Sequence, residues 1–233
     1  MAPINQYNLT YHTDDSLWKG LLESIFDDFL GFFFKNADEI FDLKKGFTYL
    51  DKELADLFPD HEGKAPKYVD KLVKVYTKAG QPKWILVHIE VQGQKDRHSG
   101  LRMFTYYYRI PDKYRMPVTA FAIFTDASET FHPAGYENSF PGTSILFEFN
   151  TYKVLNQDEN NLKNSNNPFA MAVLTVLITL KSKKSGDEKL FELKHSLLRN
   201  LIRGKIPPKK IDGLMTFLRL YLRFENPEYN NKF

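Results

Sequence analysis

The chain has 233 residues, 42% of them hydrophobic and 15% aromatic, enough apolar side chain to close a sizeable core. It contains no cysteine, which excludes disulfides, thiolate zinc sites and cysteine nucleophiles and suits a reducing cytosol. The net charge of +3 is unevenly spread: residues 181–233 hold 13 Lys and Arg against 6 Asp and Glu, whereas the first 180 hold 19 against 23. An acidic portion beside a basic end suits a polyanionic ligand handled with metal, and equally suits the solvated faces of ordinary helices.

Residues Met1 to Leu17 are polar and lack the basic-then-apolar order of a signal peptide. Next, Trp18, Leu21, Leu22, Ile25, Phe26, Phe29 and Phe33 recur at helical spacing, predicting an amphipathic helix over about Ser16 to Phe34 with Asp14, Asp15 and Ser16 as capping residues. Phe47 to Leu50 reads as a short strand, followed by Asp51-Lys52-Glu53-Leu54 and a loop from Pro59 to Pro66. Two alternating runs, Val69 to Tyr76 and Trp84 to Gln92, flank the turn-prone segment Thr77 to Lys83 and predict a β-hairpin. Leu101, Phe104 and Tyr108 mark a helix ending before Pro117. Val118 to Phe124 is a continuous apolar run, as expected of a strand buried on both faces. A further strand is predicted from Ser144 to Phe149, and the Asn-rich stretch Asn150 to Asn167 reads as a long surface loop or linker. Helices follow at about 168–181, 187–203 and 208–224. The longest apolar run, Phe169 to Leu180, is shorter than the ~20 residues that span a bilayer, so the expectation is a soluble, cytoplasmic protein with no membrane partner.

The order of elements predicts an α/β fold, a mixed sheet flanked by helices, with a core at 11–155 and a basic α-helical C-terminal region at 168–225. Centring the hairpin on Gly80 sets Asp70 opposite Glu90 and Leu72 opposite His88, with Gln92 just beyond. Like charges directly opposed in a sheet are unfavourable unless a cation lies between them. A divalent metal is the simplest cation to supply; the alternative is a structural pair bridged by nearby lysines.

Four segments then carry a resemblance: Val69-Asp70-Lys71-Leu72-Val73-Lys74-Val75; Ile89-Glu90-Val91-Gln92-Gly93-Gln94; Arg102 to Arg109; and Val118 to Asp126. Together with Trp18-Lys19 and Leu50 to Leu54, they resemble the Rpn-type recombination-promoting nuclease and transposase family of the PD-(D/E)XK superfamily, well over residues 11–126 and loosely beyond. The resemblance implies a restriction-endonuclease-like fold of bacterial origin that hydrolyses DNA with Mg²⁺ or Mn²⁺. By position, Asp70 and Glu90 are the implied metal ligands with the Val91 carbonyl beside them, and Gln92 stands where the superfamily usually has lysine.

Two carboxylates and a carbonyl are the hard oxygen donors that a small divalent cation takes. Gln92 can hydrogen-bond a water or a phosphate oxygen but brings no positive charge. Arg102, Tyr106 and Arg109 share a helix face, where the arginines either grip a phosphate or brace helix against sheet. His88 reads as a half-buried strand histidine rather than a proton shuttle, and Glu23 and Glu53 as exposed carboxylates rather than extra ligands. Lys183, Lys184, Arg199, Arg203, Lys205, Lys209, Lys210, Arg219 and Arg223 are candidates for backbone contacts to DNA. The functional expectation is a metal-dependent DNA endonuclease; the alternative is a catalytically silent nuclease-like module that binds DNA or a protein partner.

Overall fold

In the computed structural model, which describes residues 14–57, 68–90, 98–182, 187–203, 206–224, 226 and 228–229, the first apolar stripe forms helix α1 (Asp14–Phe33). The helix kinks at Ile25, next to Ser24, whose hydroxyl donates back to the Leu21 carbonyl at 2.8 Å. A short helix α2 (Ala37–Ile40), strand β1 (Thr48–Tyr49) and helix α3 (Asp51–Ala55) lead to the predicted hairpin, β2 (Tyr68–Tyr76) and β3 (Pro82–Glu90). Helix α4 (Ser99–Tyr114) crosses over the sheet to β4 (Val118–Phe124), parallel to β3, as a parallel connection requires.

The chain then leaves the sheet as a second hairpin, β5 (Gly135–Phe140) and β6 (Thr143–Glu148), and returns as β7 (Asn150–Lys153). Helices α5 (Glu159–Lys163), α6 (Pro168–Ser182), α7 (Asp187–Arg203) and α8 (Pro208–Tyr221) follow. The main sheet has the order β1-β2-β3-β4-β7, antiparallel across the first three strands and parallel from β3 to β7. The fold is therefore the expected mixed sheet flanked by helices.

Asn150 to Asn167 is not a linker. Asn150 to Lys153 pair with β4, and Asp158 caps α5 by accepting from the Asn161 backbone N–H at 2.7 Å. Asparagine and aspartate favour caps and turns because their short side chains bond neighbouring backbone groups, and here they punctuate short elements. Strand β5 was not legible either, since Gly-Tyr-Glu-Asn-Ser-Phe lies mostly exposed and carries no buried alternation.

Alternation along the strands divides the core in two. Val73, Val75, Ile85, Val87, Ile89, Phe121 and Ile123 point to the face covered by α1, α6 and α8, while Leu72, Trp84, Leu86, Ala120, Ala122 and Phe124 point to the face covered by α4 and the β5–β6 hairpin. Helix α6 is apolar nearly all round because it is enclosed between α1, α7 and α8. Trp18 of α1 meets Phe217 and Tyr221 of α8 with ring centroids 4.8 and 6.2 Å apart, so residues 168–224 complete the core begun by the first helix.

Two lysines of this region are committed internally. The buried Lys194 amine donates to the Arg219 and Leu222 carbonyls at 3.0 and 3.1 Å, closing the end of α8. Burial, with Arg219 close by, pushes its pKa down to about 8. Lys210 bridges Asp27 and Asp28 of α1 at 2.6 and 2.7 Å. Its pKa is raised, because these bonds more than offset the burial that works against the charged amine.

The first turn of α4 approaches β5 at Gly100, where an added Cβ would lie 2.4 Å from the Gly135 carbonyl oxygen. Helix propensity alone favours alanine over glycine by ~1 kcal/mol. Packing reverses the sign here, because the obstacle is backbone. Gly100→Ala is expected to destabilise the fold by about 1–3 kcal/mol, measured as a lower urea midpoint with an unchanged m-value.

Candidate active site

The hairpin register differs from the expected one by two residues. Gly80 has φ +79° and occupies the last place of the three-residue loop Lys78–Gly80, its N–H bonded to the Thr77 carbonyl while the Thr77 N–H bonds to the Gln81 carbonyl. The apex is thus Ala79, and the left-handed glycine closes the loop rather than centring it. Asp70 consequently pairs with His88, Leu72 with Leu86, and Tyr68 with Glu90. A shift of two leaves the faces unchanged: position 90 lies two residues beyond His88 on Asp70's face of the sheet, as a diagonal neighbour about 7–8 Å away rather than directly opposite.

Asp70 is met by three residues from two elements. His88 Nδ1 lies 2.6 Å from Asp70 Oδ1, and the Tyr106 hydroxyl of α4 donates to Oδ2 at 2.7 Å. Burial works to raise the Asp70 pKa, but the His88 imidazole, these two hydrogen bonds and the Arg102 guanidinium more than offset it, and the carboxyl is held below its ordinary value. The carboxylate is therefore ionised at neutral pH. An ionised carboxylate only accepts hydrogen bonds, so the His88 Nδ1 carries the proton. His88 is fully buried, not half-buried, and Asp70 keeps 15% of its side chain exposed.

The site sits where the parallel strands end. The carboxyl ends of β3, β4 and β7 align at Glu90, Phe124 and Lys153, and crevices beyond such ends are the usual ligand sites of open α/β sheets. Just past β4, Asp126 forms a buried ion pair with Lys153, and its other oxygen accepts from the Ser128 N–H at 2.9 Å. Sequence reading gave neither residue a part in this rim. No sequence signal marked them, because the burial of Lys153 follows from the pairing of β7 with β4.

Of the other candidates, Arg102 and Tyr106 come together with Asp70, while Arg109 donates to the Leu57 carbonyl at 2.7 Å and braces α4 against the end of α3. Glu23 lies on the opposite side of β2, where it and Asp51 bind the buried Lys71 amine at 2.5 and 2.7 Å. Val91 and Gln92 lie outside the described residues, and for Glu90 the structure describes only the backbone.

Asp70 fits a small divalent cation as a ligand. Each of its oxygens has a second lone pair beyond those used by His88 and Tyr106, and the group is charged and reachable. Among the described residues no group of three or more His, Cys, Asp or Glu converges as a metal cluster. No helix among the described residues is long and apolar enough to cross a membrane. Comparison with protein-family models, with curated proteins and with solved structures finds no match for the chain.

The lowered pKa of Asp70 makes a signed prediction. Because the folded value lies below the unfolded one, near 3.9, the unfolded state binds more protons as pH falls through this window, and the stability that Asp70 contributes at neutral pH is lost from about pH 4 downward. In metal-free buffer, Asp70→Asn should lower stability at pH 7 and flatten the acid limb of the stability curve, read from urea midpoints between pH 7 and pH 2.

Proposed function

We propose that the chain is a metal-dependent DNA endonuclease acting in the cytoplasm, linked to recombination or transposition as its motif segments suggest. The observation that carries this reading is an ionised, solvent-reachable carboxylate at the ending rim of the sheet, with Glu90 as its diagonal neighbour on the same face. Asp70, Glu90 and the Val91 carbonyl would hold Mg²⁺ or Mn²⁺. Bound there, the ion would lower the pKa of a water and stabilise charge on a phosphodiester.

The chain's own residues do the positioning. His88 and Tyr106 each fix one oxygen of Asp70, holding the carboxylate charged and in one orientation. Arg102, on the first turn of α4, brings positive charge beside it and has the planar fork that suits a phosphate. Gln92 orients a water or phosphate oxygen without adding charge. Exposed Arg199, Lys209 and Arg219 supply backbone contacts that give affinity without sequence reading.

One observation favours a silent DNA- or partner-binding module instead: both oxygens of Asp70 already accept hydrogen bonds from the protein, with Gln92 adding no charge. Plasmid cleavage separates the two. With Mg²⁺ or Mn²⁺ and not with EDTA, the wild type should cut, and Asp70→Asn and Glu90→Gln should each reduce cleavage by about 100-fold or more while DNA affinity stays within about twofold. Wild-type binding without cleavage would establish the silent module, and full activity in pure Asp70→Asn protein would refute the ligand assignment.

Adjacent lysines of α8 should behave differently. Lys209→Gln is expected to flatten the salt dependence of DNA binding by about one unit of log–log slope. Lys210→Gln should leave that slope unchanged and lower stability, because Asp27 and Asp28 lose their shared cation. Salt titrations of binding and urea midpoints read the two effects.

A further inference from the structure

The β5–β6 hairpin is anchored at its base and bare at its end. Near the base, Phe147 packs against Tyr107 of α4 with ring centroids 4.7 Å apart, Tyr136 lies 5.3 Å from Phe104, and Gly135 abuts Gly100. Toward the turn, Phe140 is 80% and Leu146 73% exposed, and Ile145 is also exposed. Phe104 continues to the exposed Tyr108, 6.3 Å away; Phe140 and Ile145 lie on the same side of the hairpin as the outer flank of α4, with Leu146 on the other side. Among the described residues β5 and β6 pair only with each other, which leaves two open strand edges.

Charge limits what can cover this surface. From Met116 to Tyr152 there is no Lys or Arg, only Asp126, Glu129, Glu137 and Glu148, so a polyanion such as nucleic acid is disfavoured. From Asn138 to Phe147 there is no charged residue at all. Open edges are commonly blunted by lysine or another charge; here the charges, Glu137 and Glu148, lie toward the base of the hairpin, and the half next to the turn has none. At a two-fold axis each residue near the axis meets its own copy, so a charge there would repel itself, whereas an uncharged segment matches itself without penalty.

From these observations we propose that the hairpin end, with Tyr107 and Tyr108, is an interface between two copies of this chain. Edge pairing joins the hairpins into a four-stranded sheet, its backbone hydrogen bonds supplying affinity as in other strand-addition contacts. Phe140 and Ile145 of both copies then share the face that carries α4, and Leu146 lies on the other. The exposed apolar side chains involved amount to about 1,000 Å² over the pair, at the lower bound of a specific interface.

The test uses the full chain. Sedimentation or light scattering at about 100 μM is expected to give twice the 27.3 kDa chain mass, and Leu146→Lys to return it to the single-chain value with unchanged circular dichroism. Since the chain has no cysteine, Ser144→Cys introduces a single thiol, and a short bismaleimide should link two copies through it. This second measurement stands even where Leu146→Lys misfolds. A wild type that remains at 27.3 kDa overturns the proposal in favour of a foreign partner, as does a folded Leu146→Lys that remains dimeric or a Ser144→Cys chain that fails to cross-link. None of these readouts depends on nuclease activity.

Discussion

The contact between Asp70 and His88 is the constraint around which the candidate site is arranged. A carboxylate set into a sheet this deeply needs donors on both oxygens, or it would take up a proton. His88 supplies one from the neighbouring strand and Tyr106 the other from the crossing helix. The second bond also fixes the height and rotation of α4 over the sheet, since Tyr106 reaches Asp70 only from the buried side of that helix. Arg102, one turn earlier, is thereby brought beside the same charge.

The opposite layer solves a similar problem with reversed signs. There the buried group is the Lys71 amine, and its partners, Glu23 and Asp51, are half in solvent. Asp70 and Lys71 are consecutive residues on β2, so one strand presents a charge to each side of the sheet, and each finds its partners on its own side. The basic C-terminal region likewise is not all surface: Lys194 and Lys210 hold helices together, which reduces the charge left for a polyanion.

What could be read from the sequence followed the strength of local periodicity. The hairpin, α4, β4 and the three long C-terminal helices have strict alternation or helical spacing, and they lie within a few residues of where the pattern sets them. Strands β5 and β7 are short, polar and held by tertiary pairing, so no local pattern announced them. The two-residue slip of the hairpin came from treating Gly80 as the apex, when its positive φ serves the end of the loop. With the register corrected, a histidine facing an aspartate inside the apolar run from Trp84 to Ile89 would have pointed to the Asp70–His88 pair at once. The dense packing of α8 on α1 left no such trace, because an apolar stripe does not say what covers it.

That packing has a consequence for how the chain is made. Trp18, Leu21, Leu22 and Ile25 of α1 share one core with Leu214, Phe217 and Leu218 of α8, nearly two hundred residues later. Translation delivers residues at roughly 5–20 per second, so the first helix emerges from the ribosome many seconds before its partner exists. During that interval strands β2 to β4 and then helix α6 cover part of its apolar stripe, while the side that meets α8 stays uncovered. A chain ending before α8 would leave those α1 side chains without the Leu214, Phe217 and Leu218 cover that closes the core.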